Sequence, residues 1–318
     1  MSSVIDPTHP QDMDHLDRAV RAATQSGHRP LSDTVQGITS MLDDPEFDMH
    51  QLERLFEADP ALTGQVLRVA NSAVFSQGRP VQSVGDALVR LGSSAVQDVV
   101  YGVAMLEAFR DVEGVGRRII EYSTECALVL RLMERFGYHD VPHLFLAGLM
   151  QDIGKLMLLD NGGYASWTPE QIARDTGTAS RQEQRELGFD HATVGAVAVL
   201  SWNIPDPVAQ VVTWHHQRAR AMQEGGVVAK TVCMLHSAKK LLHAMDQCED
   251  DRIDRDMADW LATDAAFQFC GLGSQEIIDL ADLILEQEAP TRSEAARLAR
   301  NRTRERGYRV PRLGFWAP

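Results

Sequence analysis

Apolar residues recur along this chain at helical spacing. One stripe, with intervals of 3, 4, 3, 4 and 3, comprises Ile119, Tyr122, Cys126, Val129, Met133 and Phe136. This spacing puts them on one face of a long amphipathic helix that looks into a core. Residues 141–159 are apolar almost all round, which predicts a second helix, fully buried and carrying Gln151-Asp152. Alternating patterns typical of strands are not convincing anywhere, so the sequence predicts an all-α protein.

Capping signals predict where further helices begin and end. Four starts are predicted in the first third of the chain, at Asp48 with Gln51, Asp59-Pro60, Ser83 and Ser94 with Gln97. The helix after Ser83 should end at Gly92. In the second half a helix should start at Thr168-Pro169, and others should cover 192–202, 207–216, 227–245, 254–267 and 274–288. A short helix is also expected near residues 12–24.

Charge is distributed unevenly. The 318 residues carry a net charge of -14, which argues against non-specific nucleic-acid binding by the main body. Residues 291–318 contain eight arginines and two glutamates, a surplus of six positive charges that leaves -20 on the rest. This tail is predicted either to be solvated, lying on the acidic body, or to dock an anionic partner such as RNA, DNA or an acidic protein face.

The cysteines and the N-terminus favour a cytoplasmic protein without membrane association. No Cys-x-x-Cys pair occurs among Cys126, Cys233, Cys248 and Cys270, which are predicted to be core thiols in a reducing compartment. The first residues lack the basic start and apolar stretch of a secretory signal. The longest apolar stretches are too short to span a bilayer.

Seven polar residues of the second half are candidates for chemistry: Tyr122, Gln151, Asp152, Lys155, His191, His215 and His216. Asp152 is set in an almost wholly apolar segment, so its carboxylate needs a partner. Lys155, one turn on, or a histidine of another helix would supply it. The alternative is a structural anchor that is bonded to backbone amides or to a helix start.

The histidines are weak signals singly. His191 follows Asp190, a predicted helix cap, and is expected in the first turn of that helix. His215 and His216 close a helix, where the dipole favours a protonated imidazole. Adjacent residues on a helix point in different directions, so one site cannot easily use both. The candidate residues predict a functional site only when they are taken together.

Several ordered motifs together carry a family resemblance. They are Ala58-Asp-Pro-Ala-Leu62, Leu67-Arg-Val-Ala-Asn-Ser-Ala73, Pro80-Val-Gln-Ser-Val-Gly-Asp-Ala-Leu-Val-Arg-Leu-Gly92, Gly148-Leu-Met-Gln-Asp-Ile-Gly154, Gly188-Phe-Asp-His-Ala-Thr-Val-Gly195 and Trp202-Asn-Ile-Pro205 with the later His215-His216. With them the chain resembles, over about residues 29–245, the HDOD family, the HD-related output domains of bacterial signalling proteins.

The resemblance implies a two-lobed helical fold. We expect an N-terminal extension over 1–28, a small helical lobe over 29–112, a lobe like the HD phosphohydrolases over 113–247, a helical extension over 248–290 and the Arg-rich tail over 291–318.

The resemblance also bears on metal binding. The related HD enzymes, including the HD-GYP cyclic-dinucleotide phosphodiesterases, hold two or more metals with several His and Asp residues. Here Tyr122 and Gln151 stand where histidines are expected. His236, Ser237 and Lys239 stand where a later aspartate is expected. A multinuclear centre is therefore not expected.

The resemblance implies a non-catalytic regulatory protein without a cofactor. It would act through a signalling protein partner, or by binding a small phosphorylated ligand, such as a nucleotide second messenger, in the former HD pocket. Gln151, Asp152, Tyr122 and His191 are predicted to form a hydrogen-bonded cluster in place of metals. Asp152→Ala should then cost roughly 1–3 kcal/mol of stability.

The sequence is also compatible with two other functions. One is a phosphohydrolase or phosphodiesterase with a single metal held by Asp152, His191 and either His215 or His216. The other is a nucleic-acid-linked regulator that uses the Arg-rich tail.

Overall fold

The computed structural model describes residues 10–24, 31–72, 74–75, 79–138, 141–173, 177–248 and 251–288. Within these ranges the secondary structure is helical and no strand occurs, which confirms the all-α prediction. The helices are α1 (Pro10–Thr24), α2 (Asp33–Leu42), α3 (Met49–Glu57), α4 (Pro60–Ala70), α5 (Val84–Leu91), α6 (Ser93–Ala108), α7 (Gly114–Met133), α8 (Leu144–Met150), α9 (Ile153–Asp160), α10 (Pro169–Ala173), α11 (Gly177–Leu187), α12 (His191–Ser201), α13 (Asp206–Trp214), α14 (Arg218–Glu224), α15 (Gly226–Gln247), α16 (Arg255–Ala262), α17 (Ala265–Phe269) and α18 (Ser274–Glu288).

Most predicted caps are confirmed. The Asp48 carboxylate accepts hydrogen bonds from the first turn of α3, and the Asp59 carboxylate accepts one from the backbone N–H of Leu62, 2.9 Å away. Ser83 caps α5 in the same way, and that helix ends at Gly92 with a φ of 79°, a conformation that favours glycine.

The capping box predicted at Ser94 and Gln97 is wrong. Helix α6 begins one residue earlier, and no side chain caps it. Gln97 is buried instead, and its amide donates to the Thr39 carbonyl oxygen at 2.9 Å and to the Asp43 carboxylate at 2.8 Å. Its side chain therefore ties α6 to the end of α2, which no local pattern reveals.

The segment 141–159 forms two helices, not the single helix predicted. The break falls at Gln151-Asp152, between α8 and α9. Helix α8 packs closely on α7, since a Cβ on Gly148 would lie 2.6 Å from the Cα of Ala127. Helix α9 packs on α12 instead, since a Cβ on Gly154 would lie 1.9 Å from the His191 carbonyl oxygen. Because of the break, the first part of this apolar segment packs on α7 and the second part packs on α12.

The predicted helix over 254–267 is likewise divided, into α16 and α17. The first part ends at Ala262, and Asp264 caps the second by accepting a hydrogen bond from Ala266 N at 2.8 Å. Helices α16 and α17 contact α15, and α18 contacts α16, α15 and α7. The C-terminal helices thus continue the core of the second half.

Helices α2 to α6 pack on one another, and α6 also contacts α8. Polar contacts also join α6 to later parts of the chain. The Tyr101 hydroxyl donates to the Asn203 carbonyl oxygen at 2.8 Å, and His143 Nδ1 lies 2.6 Å from an Asp98 carboxylate oxygen. The grouping resembles the two lobes expected, while the exact boundaries stay a prediction.

Helix α1 lies across α9 and α12. Ala19 faces the core with no exposed surface, and the His15 ring lies against the backbone at Gly188. Near the C-terminal end of α1, the Ala22 carbonyl oxygen accepts a hydrogen bond from the Asn161 side-chain amide at 2.8 Å. Part of the predicted N-terminal extension is therefore packed on the helix that follows Asp152 and on the helix that begins with His191.

Two other predictions concern membranes and thiols. Among the residues described, no helix is both long and apolar enough to cross a membrane. The four cysteines are free thiols and all but Cys248 are buried, as predicted for core thiols. The Arg-rich tail, 291–318, lies outside the described residues.

Candidate functional site

Asp152 lies at the break between α8 and α9, with 1% of its surface exposed. One carboxylate oxygen, Oδ1, is 3.0 Å from Lys155 Nζ and 3.2 Å from His191 Nε2. Both partners expected from the sequence are therefore present. The alternative of a helix-start anchor is wrong, because the Asp152 side chain makes no capping hydrogen bond to α9.

His191 begins α12 and is completely buried. Asp190 caps the helix by accepting a hydrogen bond from Thr193 N at 3.0 Å. Glu183 of α11 lies behind the imidazole, with Oε2 2.7 Å from both Nδ1 and the backbone nitrogen of His191. The Tyr164 hydroxyl donates to the other Glu183 oxygen at 2.6 Å. This second carboxylate fixes the position of the imidazole.

Sequence reasoning missed Glu183 and Tyr164. A signal for Glu183 was present, because Ala179, Glu183 and Leu187 recur every four residues and share one face of α11. Of these, Ala179 and Glu183 are buried. Tyr164 carries no comparable signal, since it lies in a turn between α9 and α10.

His215 and His216 both reach the same place. Helix α13 ends at Trp214, and the two histidines lie in the turn that follows. Their Nε2 atoms lie 3.3 Å and 2.9 Å, respectively, from Nε2 of His191. The prediction that one site cannot easily use both is wrong, because the turn releases them from the divergent directions of a continuous helix.

The set formed by Asp152, His191, His215 and His216, called the histidine cluster below, offers four ligand atoms within 4.8 Å of one another. His191 and His215 use Nδ1 for bonds to the Glu183 carboxylate and the Val212 carbonyl oxygen. Both Nε2 atoms are thereby aimed at the centre of the cluster, as in metal sites whose histidines are held by outer partners. The donor types would suit one transition ion such as zinc.

Charges inside the cluster compensate one another. Burial would raise the pKa of Asp152, but Lys155 and His191 lower it well below its usual range. Burial likewise opposes protonation of His191, yet Glu183 and Asp152 raise its pKa to about 9. The pKa of Glu183 is lowered to about 2, against the effect of burial, chiefly by His191. Two carboxylates thus face one imidazolium and one ammonium.

Further positive charge comes from α15. Lys239 helps to lower the pKa of Asp152, and it acts with burial and the neighbouring histidines to depress the pKa of His216. His236, on the same helix, has its pKa lowered to about 4 by burial and by Arg218. The segment that should carry a further acidic ligand in an HD enzyme therefore adds a cation near the cluster.

The remaining two candidates are Tyr122, whose part in the cluster stays a prediction, and Gln151. Tyr122 is half-buried on α7 and packs against the hydrophobic core. Gln151 has no exposed surface, and among the described residues neither atom of its amide has a hydrogen-bond partner. The prediction that Gln151 joins the hydrogen-bonded cluster is therefore wrong. An unsatisfied buried amide costs about 1–3 kcal/mol.

Comparison with solved structures reproduces the fold. An HDOD domain protein of unknown function from Geobacter sulfurreducens aligns with 87% of this chain and 97% of its own, at 21% identity and a TM-score of 0.66. A candidate phosphohydrolase from Shewanella amazonensis SB2B aligns with 86% and 93%, at 23% identity and a TM-score of 0.64. A candidate signal transduction protein from Marinobacter aquaeolei VT8 covers 90% and 65%, at 22% identity and a TM-score of 0.58.

Sequence comparison agrees. An uncharacterized protein of Treponema pallidum (strain Nichols) is 21% identical over 214 residues, which are 64% of this chain. The match spans only 40% of that relative's length. The HDOD domain matches residues 29–218, more than half of the sequence. The chain belongs to the HDOD family.

Proposed function

We propose that this chain is a regulatory HDOD protein that acts by binding a signalling protein, and that its HD-like lobe does not catalyse a reaction. The observation that carries the proposal is the compensated charge of the histidine cluster. The Lys155 ammonium, 1% exposed, already lies 3.0 Å from the Asp152 carboxylate. A divalent ion would have to share that carboxylate with an adjacent cation.

Protonation of His191 supports the same proposal. A metal ligand must offer a lone pair, so an ion could bind His191 Nε2 only after a proton leaves it. The neighbouring carboxylates hold that proton, since they raise the pKa of His191 to about 9. Protonation of His191 thus competes with metal binding at neutral pH.

Burial favours a protein partner over a small phosphorylated ligand. Asp152, His191 and Lys155 each expose 1% of their surface or less, and His215 exposes 5%. A phosphate group could contact the Lys155 ammonium only after the surrounding helices separate. A partner that binds the outer surface of the lobes needs no such opening.

The test is elemental analysis of protein purified without chelator and without a nickel affinity step. We expect far less than one transition-metal ion per chain, and no rise in melting temperature on adding zinc at pH 7. A stoichiometric ion that survives dialysis would overturn the proposal. The exposed His50 supports a matched control, because His50→Ala should change neither result, whereas His191→Ala would remove a bound ion.

A second candidate function is a hydrolase with a single metal. It is favoured by the convergence of three imidazole Nε2 atoms and one carboxylate within 4.8 Å. Asp152, His191, His215 and His216 would hold the ion, which would supply Lewis acidity and an activated water. The chain's own contribution would be Glu183, which orients His191. Zinc-dependent turnover of a phosphodiester, lost in His191→Ala and kept in His50→Ala, would establish this function.

A further inference from the structure

A cleft of about 990 Å³ lies between the small helical lobe and the start of α7. Helices α2, α4 and α6 form one side, and residues at the end of α9 and the start of α7 form the other. Apolar side chains line it: Leu31, Val35, Leu62, Val103, Val115 and Leu159. This cleft is separate from the histidine cluster, none of whose members lines it.

The polar lining of the cleft is strongly acidic. Among the described residues it contains five carboxylates, from Asp59, Glu107, Asp111, Glu113 and Asp160, and one basic residue, Arg110. That guanidinium is already bonded to two of these carboxylates, those of Glu107 and Asp111. The described residues of the lining thus carry a formal net charge of -4. A segment that binds in the cleft should be cationic, and it should carry apolar side chains to cover the apolar part of the lining.

The described part of the chain ends on the helix that also lines this cleft, α7. Ile284 and Gln287, in the last turns of α18, share a small cavity with residues 125–132 of α7. The first turn of the same helix, at Val115, lines the cleft. These two places on α7 are separated by about a dozen residues, or about 20 Å at the helical rise. An extended chain of six or seven residues spans that distance.

The segment that follows α18 has the chemistry that the cleft lacks. Its surplus of six positive charges begins at Arg292, four residues after α18 ends. It also carries apolar residues for the floor of the cleft: Leu298, Val310, Leu313, Phe315 and Trp316. Charge, hydrophobicity and reach all match.

We propose that the Arg-rich tail, 291–318, binds in the acidic cleft of its own chain. Arginine guanidiniums pair with the carboxylates of the lining, and the apolar residues of the tail cover the aliphatic floor. Because the cleft is formed by both lobes, an occupied cleft holds them together. A partner that takes the cleft must first displace the tail.

Photo-crosslinking of the full chain tests this directly. Phe315→p-benzoylphenylalanine places a photoreactive group in the tail, and mass spectrometry after irradiation identifies the residues it reaches. We expect cross-links within one chain to cleft residues such as Val35, Leu62 and Val115. A second full-length variant, Glu107→Gln/Asp111→Asn/Glu113→Gln, should lower their yield by about threefold or more, since several charge pairs are lost together.

A matched control separates the cleft from the acidic surface in general. Glu46→Gln/Glu57→Gln/Glu224→Gln removes the same charge from exposed positions that do not line the cleft, and it should leave the yield unchanged. All six substituted residues are exposed, so both triple variants should fold.

Three results would overturn the proposal. One is cross-links scattered over the acidic body; another is an equal yield in the cleft and control variants. The third is cross-links between chains, detected by mixing isotopically light and heavy protein, which would assign the cleft to the tail of a second copy.

Discussion

Removing the Asp152 carboxylate should destabilise this protein more than the sequence alone suggests. The sequence predicts a cost of roughly 1–3 kcal/mol for Asp152→Ala, as for one lost hydrogen-bonding group. In the structure the substitution leaves the Lys155 ammonium, 1% exposed, without its carboxylate. Breaking a buried ion pair by deleting one partner costs about 3–5 kcal/mol. The larger estimate is therefore the one expected at pH 7.

The chemistry of lysine sets an upper limit on this cost. A buried lysine that loses a carboxylate partner can release its proton, and at pH 7 this costs about 5 kcal/mol relative to its reference pKa. Deprotonation becomes easier by about 1.4 kcal/mol for each unit of pH. The destabilisation of Asp152→Ala should accordingly be smaller at pH 9 than at pH 7, by up to about 2–3 kcal/mol.

Urea unfolding followed by circular dichroism at the two pH values measures this difference. Asp279→Ala, on the exposed face of α18, is the matched control and should change stability by less than about 0.5 kcal/mol. The double variant Asp152→Ala/Lys155→Met removes both charges and should recover part of the loss. A loss under about 1 kcal/mol at pH 7, or one equal at both pH values, would refute the reasoning about the buried ion pair.

Two further predictions concern close packing and pH. Gly154→Ala should cost at least about 1–3 kcal/mol, because its Cβ would meet the His191 carbonyl oxygen at 1.9 Å, whereas Gly64→Ala, with nothing within 4 Å, should be neutral or stabilising; thermal melting distinguishes them. His143, although burial opposes it, has its pKa raised by the Asp98 carboxylate, so the stability that this pair adds is complete below about pH 6.5 and is lost as the pH rises through the folded-state pKa. In Asp98→Asn this loss should be absent. If the melting temperature falls between pH 6 and pH 9 by the same amount in the natural protein and in the variant, the prediction is contradicted.

Local sequence patterns predicted most of the helices because their signals are local. A cap and the first turn it bonds are separated by two or three residues, as at Asp48 and Asp59. Apolar spacing within one helix likewise needs no knowledge of its neighbours, and α18 begins and ends where the pattern predicts. Agreement is therefore best where a helix is specified by its own residues.

Predictions failed where a distant element decided the outcome. The helix break at Gln151-Asp152 separates two glycines that pack on different helices, Gly148 on α7 and Gly154 on α12. Gln97 looks like a capping residue, but its amide bonds to backbone and carboxylate more than fifty residues away. Such contacts are long-range, and one sequence carries no record of them.

The candidate site shows the same division. Asp152 could be selected because an isolated charge in an apolar segment is a local anomaly, and so could its neighbour Lys155. The partners that orient the site were harder to select. Helical spacing places Glu183 on one face of α11 but does not connect it with His191, and Tyr164 lies in a turn without such a pattern. The chemistry of one element was predictable, while the assembly of several was not.

Helix α1 has a mechanical consequence. It rests on α9, which carries Lys155, and on α12, which begins with His191. Its His15 ring lies against Gly188, three residues before His191, and its C-terminal end is bonded to Asn161 at the end of α9. Displacing α1 would therefore disturb α9 and α12, and with them Lys155 and His191, at the same time. Helix α1 thus connects the surface of the molecule with the two helices that hold its buried charges.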